Sequence, residues 1–99
     1  LVRYAAQQCR MVHEAARAVK PGGVLVYSTC SSEPDENAAV VDAFLGSATG
    51  FTIEDPRRHG CGVPHALHAC LDERGCLRPE PDRHGLEPFF AVRLRRQID

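Results

Sequence analysis

The residues with the greatest chemical reach lie in one short run, Tyr27-Ser28-Thr29-Cys30-Ser31. A thiol becomes a nucleophile once its thiolate is stabilised, and a place between a strand end and a helix start offers the positive end of the helix dipole for that purpose. In open α/β sheets the same place, beyond the carboxyl end of a strand, is where ligands bind. Cys30 is therefore the first candidate for covalent chemistry. The competing reading is a buried structural cysteine, because free cysteines are among the most buried residue types. A second cluster, His59, Cys61, His65, His68, Cys70 and Cys76, places six soft ligands within 18 residues. Zinc favours compact pairs such as Cys-x-x-Cys; only His65 and His68 lie close, so an incidental His- and Cys-bearing loop is the better account. A third set, Arg57-Arg58-His59 with Arg93, Arg95 and Arg96, has the charge to touch RNA phosphate, although solvated surface charge is the commoner role of such residues.

Cys30 needs elements to hold it. Upstream, apolar residues at Leu1, Ala5, Cys9, Val12, Ala16 and Val19 follow helical spacing, with Arg3, Gln7, Arg10, Glu14 and Arg17 on the wet face. Pro21-Gly22-Gly23 stops that helix. Val24-Leu25-Val26-Tyr27-Ser28 has no alternation and is β-branched and aromatic, which predicts a strand buried on both faces. The segment Cys30–Asn37 carries helix-start marks: Ser32 or Glu33 as cap, an early Pro34, and acids in the first turn. Val40, Val41, Phe44, Leu45 and Ala48 supply the buried stripe of the helix, ended by Gly46 or Gly50. Phe51-Thr52-Ile53-Glu54 alternates as a second strand. Strand, helix and strand in close succession predict a crossover with parallel strands. Asp55 to Gly85 reads mainly as loop, with Leu67–Leu71 and Cys76–Arg78 flanking Asp72-Glu73-Arg74-Gly75 as a small hairpin. Phe89 to Arg95 forms a last strand with Phe90, Val92 and Leu94 on one face.

Composition bounds the function. The 99 residues make one small core, with 43% hydrophobic and 25% charged residues and a net charge of -1. That balance argues against a stand-alone electrostatic nucleic-acid binder. The longest fully apolar runs, such as Val24 to Tyr27, are four residues, far short of the ~20 of a membrane span. Five cysteines, an odd number without a Cys-x-x-Cys pair, fit a reducing, cytoplasmic compartment. The start, Leu1-Val2-Arg3-Tyr4, has neither an initiator Met nor signal-peptide order, as expected of a processed or excised piece.

The run Val19-Lys20-Pro21-Gly22-Gly23-Val24-Leu25-Val26-Tyr27-Ser28-Thr29-Cys30-Ser31, continued by Pro34-Asp35-Glu36-Asn37 and Ala38 to Leu45, closely resembles the Sun-type RNA cytosine-5 methyltransferases. The resemblance reaches upstream to Gln7-Gln8 and downstream to Cys76-Leu77-Arg78-Pro79 and Phe89 to Leu94. It implies that Cys30 is the nucleophile, attacking carbon 6 of an unpaired or flipped-out RNA cytosine so that carbon 5 accepts the methyl group of S-adenosylmethionine. It favours ribosomal over transfer RNA. It also implies an α/β fold: the carboxy-terminal part of a Rossmann-like methyltransferase sheet, with two parallel strands, a final antiparallel strand inserted between them, and helices packed on the sheet. Residues 1–99 would then be one portion of a catalytic domain. The glycine-rich cofactor loop, the acid for the cofactor ribose and the Asp-Ala-Pro-Cys segment belong upstream of Leu1, so no cofactor-binding residue is assigned here.

One departure stands out: the family's Asp-Gly-Phe-Phe reads Glu87-Pro88-Phe89-Phe90, a rigid turn in place of a flexible one. The expected partners are RNA and the missing amino-terminal half, with no membrane, and an exposed sheet edge invites self-association. The alternative function is a catalytically silent module of the same fold that binds RNA or protein.

Overall fold

The computed structural model describes residues 2–30, 36–47, 50–59, 65–79 and 89–98. Helix α1 (Val2–Ala16) leads to strand β1 (Val24–Thr29), helix α2 (Ala38–Ser47), strand β2 (Phe51–Ile53), the single turn α3 (Pro56–His59), a 3₁₀ segment (His65–Cys70) and strand β3 (Phe90–Arg96).

The end of α1 tightens into successive three-residue bonds, from Arg17 N to Glu14 O, Ala18 N to Ala15 O and Val19 N to Ala16 O. Lys20-Pro21-Gly22-Gly23 then closes a turn, with Gly23 N donating to Lys20 O at 2.8 Å and Gly22 at φ +81°. Proline second and a left-handed glycine third are what a type II turn demands. This turn is stitched to the far end of the sheet by Gly22 N to Arg96 O and Arg96 N to Gly23 O, both 2.9 Å.

The sheet order is β1-β3-β2, so the last strand occupies the middle. Both ladders are antiparallel: Leu25 faces Leu94, Tyr27 faces Val92, and Ile53 faces Leu94 from the other side. The inserted antiparallel strand is as expected. The parallel relation expected of β1 and β2 carries no hydrogen bonds here, because β3 separates them and no parallel ladder occurs among the described residues.

One face of the sheet is covered. Phe90, Val92 and Leu94 of β3 form a single apolar cluster with Val12 and Ala16 of α1 and with Val40, Val41 and Phe44 of α2; Leu25, Tyr27, Phe51 and Ile53 flank it. Phe44 is fully buried and meets the rings of Phe51 and His13 edge-on at 5.3 and 5.1 Å. A bond between His13 Nε2 and Ser47 Oγ at 2.7 Å ties the two helices. On the other face β1 is open, with Val26 59% exposed, whereas Glu54, Arg93 and Arg95 shield one another beside it. The two-sided burial predicted for β1 is therefore corrected to one-sided burial, since Val26 and Ser28 are exposed while Leu25 and Tyr27 pack against the core.

Other boundaries shift for local reasons. Gly46 lies inside α2 rather than ending it, and the chain instead turns at Gly50, whose φ is +92°. Leu67–Cys70 is 3₁₀ rather than strand, so the expected hairpin shrinks to one bridge, Leu71 with Leu77. Its turn is built as read: Asp72 Oδ1 accepts from Arg74 N and Cys76 N, and Gly75 adopts φ +92°. Leu77 in turn bridges Ala91, which fastens this segment to β3.

Candidate active site around Cys30

Cys30 follows β1 directly and is exposed. The structural-cysteine reading therefore fails for Cys30, and it holds instead for Cys70 and Cys76, which are buried. Burial, with Asp72 nearby, pushes the Cys76 thiol up to about 11, which makes it a poor nucleophile at neutral pH.

The described residues on either side of positions 31–35 are tied together. Tyr27 OH donates to Glu36 O at 2.6 Å, and Thr29 Oγ1 donates to Asn37 Oδ1 at 2.5 Å. Asn37 is buried, and its carbonyl accepts from Val41 N at 3.2 Å, the first backbone bond leading into α2. Strand end and helix start are thereby held together on either side of the thiol. The caps expected at Ser32 or Glu33 lie outside the described residues. Asn37 thus joins the start of α2 to the end of β1. Tyr27 goes beyond its reading as a strand residue, and the only signal was an aromatic among aliphatics at an inward position.

The other candidates disperse. Among the described residues no three His, Cys, Asp or Glu side chains come together to hold a metal ion; Cys61 and the side chains of His59 and His65 lie outside them. Arg57, Arg93, Arg95 and Arg96 are engaged within the chain. Arg57 donates to both Asp55 oxygens and to Asp72 O. Arg93 and Arg95 converge on buried Glu54, with Nε to Oε2 at 2.5 Å and Nη2 to Oε1 at 2.6 Å. Arg95 Nη1 also reaches Gly22 O at 2.8 Å, and Arg96 Nη1 donates to Val19 O. Arg58 remains an exposed cation of the set.

Beside β1, on the edge away from β3, runs an open groove of about 300 Å³ lined by Gln8, Met11, Val12 and Ala15 of α1 and by Leu25–Thr29. Gln8 Oε1 is buried without a hydrogen-bond partner, and Met11 is 68% exposed. No carboxylate lines this groove to take the ribose hydroxyls of S-adenosylmethionine, and its polar groups are few. This groove does not fit that cofactor.

Residues 1–95 match the family described as 16S rRNA methyltransferase RsmB/F. The chain belongs to the RsmB/F family. Among curated relatives it is 41% identical over 96 residues to ribosomal RNA small subunit methyltransferase F of Aeromonas hydrophila, covering 93% of this chain and 19% of that protein. It is 35% identical over 94 residues to ribosomal RNA small subunit methyltransferase B of Thermus thermophilus, covering 95% and 21%. Among solved structures, NSun6 from Pyrococcus horikoshii with SFG superposes with a TM-score of 0.72 at 25% identity over 96% of this chain and 23% of that one. A methyltransferase homolog from the same organism gives 0.73 at 28% identity, over 94% and 31%. The RsmB/F chain described here thus spans about a fifth of the curated relatives' length, and its α/β arrangement is that of methyltransferase structures. None of its described helices is long and apolar enough to cross a membrane.

Proposed function

We propose that this chain is the nucleophile-bearing, carboxy-terminal portion of a Rossmann-like methyltransferase domain that modifies cytosine in RNA, with ribosomal RNA as the substrate class. What carries the reading is the exposed thiol of Cys30 at the end of β1, in a chain whose match to the RsmB/F family runs across that position. The Cys30 thiolate adds to carbon 6 of the base, which raises electron density at carbon 5; after substitution there, loss of the carbon 5 proton expels the thiolate and restores the ring. The target base must be unpaired or flipped out for the sulfur to reach it. S-adenosylmethionine supplies the methyl group in the whole enzyme. The groove beside β1 does not fit it, so the chemistry assigned to this chain is adduct formation and its reversal.

The groove beside β1 takes the remainder of the catalytic domain. An unpaired strand edge, an exposed Val26 and Met11, and an unpartnered Gln8 Oε1 together ask for an added strand that brings both backbone donors and apolar side chains. The chain alone is accordingly inactive and prone to self-association. A reducing, cytoplasmic setting goes with a thiol that must stay free.

The test is covalent trapping. The full-length protein is incubated with S-adenosylmethionine and RNA containing 5-fluorocytosine, whose carbon 5 has no proton to lose once methylated, and a protein–RNA adduct is expected that disappears in Cys30→Ala. An adduct that survives in Cys30→Ala refutes the role of Cys30. No adduct with any ribosomal RNA fragment favours the silent binding module instead.

A further inference from the structure

We propose that Asn37 and Thr29 are positioning residues that aim the Cys30 sulfur, acting as a side-chain latch between the end of β1 and the start of α2. The proposal rests on the reading of Cys30 as the nucleophile. Thr29 is the residue immediately before Cys30, and its hydroxyl spends its proton on Asn37 Oδ1 at 2.5 Å. Asn37 is 6% exposed and sits where α2 begins, so its amide is anchored by the core-facing helix rather than by solvent. Thr29 is also paired in register with Phe90, 1% exposed, on the central strand. The residue before the thiol is thus gripped from two directions: backbone by β3, side chain by α2.

A second tie runs parallel to the first, from Tyr27 OH to Glu36 O at 2.6 Å. Burial, with the Glu36 charge nearby, pushes the Tyr27 hydroxyl up to about 12, so it stays a donor throughout the range in which an enzyme works. An exposed sulfur on an untied strand end would sample many directions. Attack on carbon 6 requires one, and misplacement by about 1 Å can cost on the order of 100-fold in rate.

The test uses the full-length protein and Thr29→Val, which removes the hydroxyl while keeping shape, with Thr29→Ser as the conservative rescue. Three quantities are read: the single-turnover rate of adduct formation with S-adenosylmethionine and 5-fluorocytosine RNA, the KM for RNA, and the rate of Cys30 alkylation by iodoacetamide. The expected result for Thr29→Val is a tenfold or greater fall in adduct rate, with KM and alkylation rate within twofold of wild type, and recovery in Thr29→Ser to within threefold. A smaller fall, equal slowing in Thr29→Ser, or a parallel drop in alkylation overturns the latch. In the pair Thr29→Val and Asn37→Ala, the double variant should be no slower than the slower single one; additive losses also overturn it. Adduct formation that persists in Cys30→Ala overturns the reading of Cys30 itself, a result these variants cannot mimic.

Discussion

Replacing Glu54 by Gln tests how the face of the sheet opposite the helices is held together. The Glu54 carboxylate is 7% exposed and accepts from Arg93 and Arg95, whose side chains are 37% and 39% exposed. Hydrogen bonds to a charged group contribute about 1.5–3 kcal/mol each. Screening of the half-exposed guanidiniums puts these pairs at the lower end. Glutamine keeps one acceptor but turns an NH₂ toward the other guanidinium, so the loss at neutral pH comes to about 2 kcal/mol. With a urea m-value of about 1–2 kcal/mol/M for a chain of this size, the unfolding midpoint falls by roughly 1–2 M.

The same substitution has a pH signature. Burial works against ionisation of Glu54, but hydrogen bonds and charge from Arg95 and Arg93 outweigh it and hold its pKa below the ordinary 4.5. A depressed folded value means that the stabilisation is complete above 4.5 and is lost as the pH falls through the folded value. The gap between wild type and Glu54→Gln is therefore widest at neutral pH and closes in acid. Asp55, held at about 2 chiefly by its hydrogen bond from Arg57 and against its own burial, shifts stability in the same direction, but both proteins carry it and it cancels in the difference. Urea unfolding followed by circular dichroism at neutral pH and in acid reads both effects. A neutral-pH gap under about 0.5 kcal/mol, or one that stays constant into acid, refutes the reasoning.

Other substitutions probe other parts of the chain. Gly75→Ala would place a Cβ 2.7 Å from Asp55 Cα at a φ of +92°, so a loss of about 2 kcal/mol or more is expected in thermal unfolding. Gly46→Ala meets nothing within 4 Å inside α2 and should stabilise by about 0.5 kcal/mol. Phe44→Ala empties the fully buried centre of the core and should cost about 3–5 kcal/mol in urea unfolding. Val26→Lys, on the open face of β1 where the native residue is 59% exposed, should leave the stability of the isolated chain within about 0.5 kcal/mol and raise the concentration at which light scattering detects self-association.

Much of this architecture is legible in residue order because local chemistry decides it. Pro21-Gly22 can hardly do other than turn, and alternation in Phe90-Ala91-Val92-Arg93-Leu94 reports which side faces the core. Cys30 is legible for a similar reason, lying where a strand pattern stops and helix-start residues begin. What is hidden depends on partners distant in sequence. An apolar run such as Val24–Tyr27 predicts a strand but not whether both faces are covered, because the cover comes from elsewhere. The arginines read as free charge until Glu54 is seen to collect Arg93 and Arg95 across 39 and 41 residues. The Thr29–Asn37 tie spans eight residues of chain whose path periodicity does not reveal.

The central place of β3 also sets an order of events during synthesis. β1 and β2 leave the ribosome before the strand that joins them, and Thr29 waits for Phe90 to be made. At about 5–20 residues per second, that interval lasts on the order of several seconds. Through it, the edge of β1 that β3 will occupy stays unpaired, and its apolar residues depend on whatever chaperone or nascent structure is at hand. The backbone that leads into Cys30 acquires its ladder only when the final strand slots in, so the nucleophile is among the last groups of the chain to be set in place.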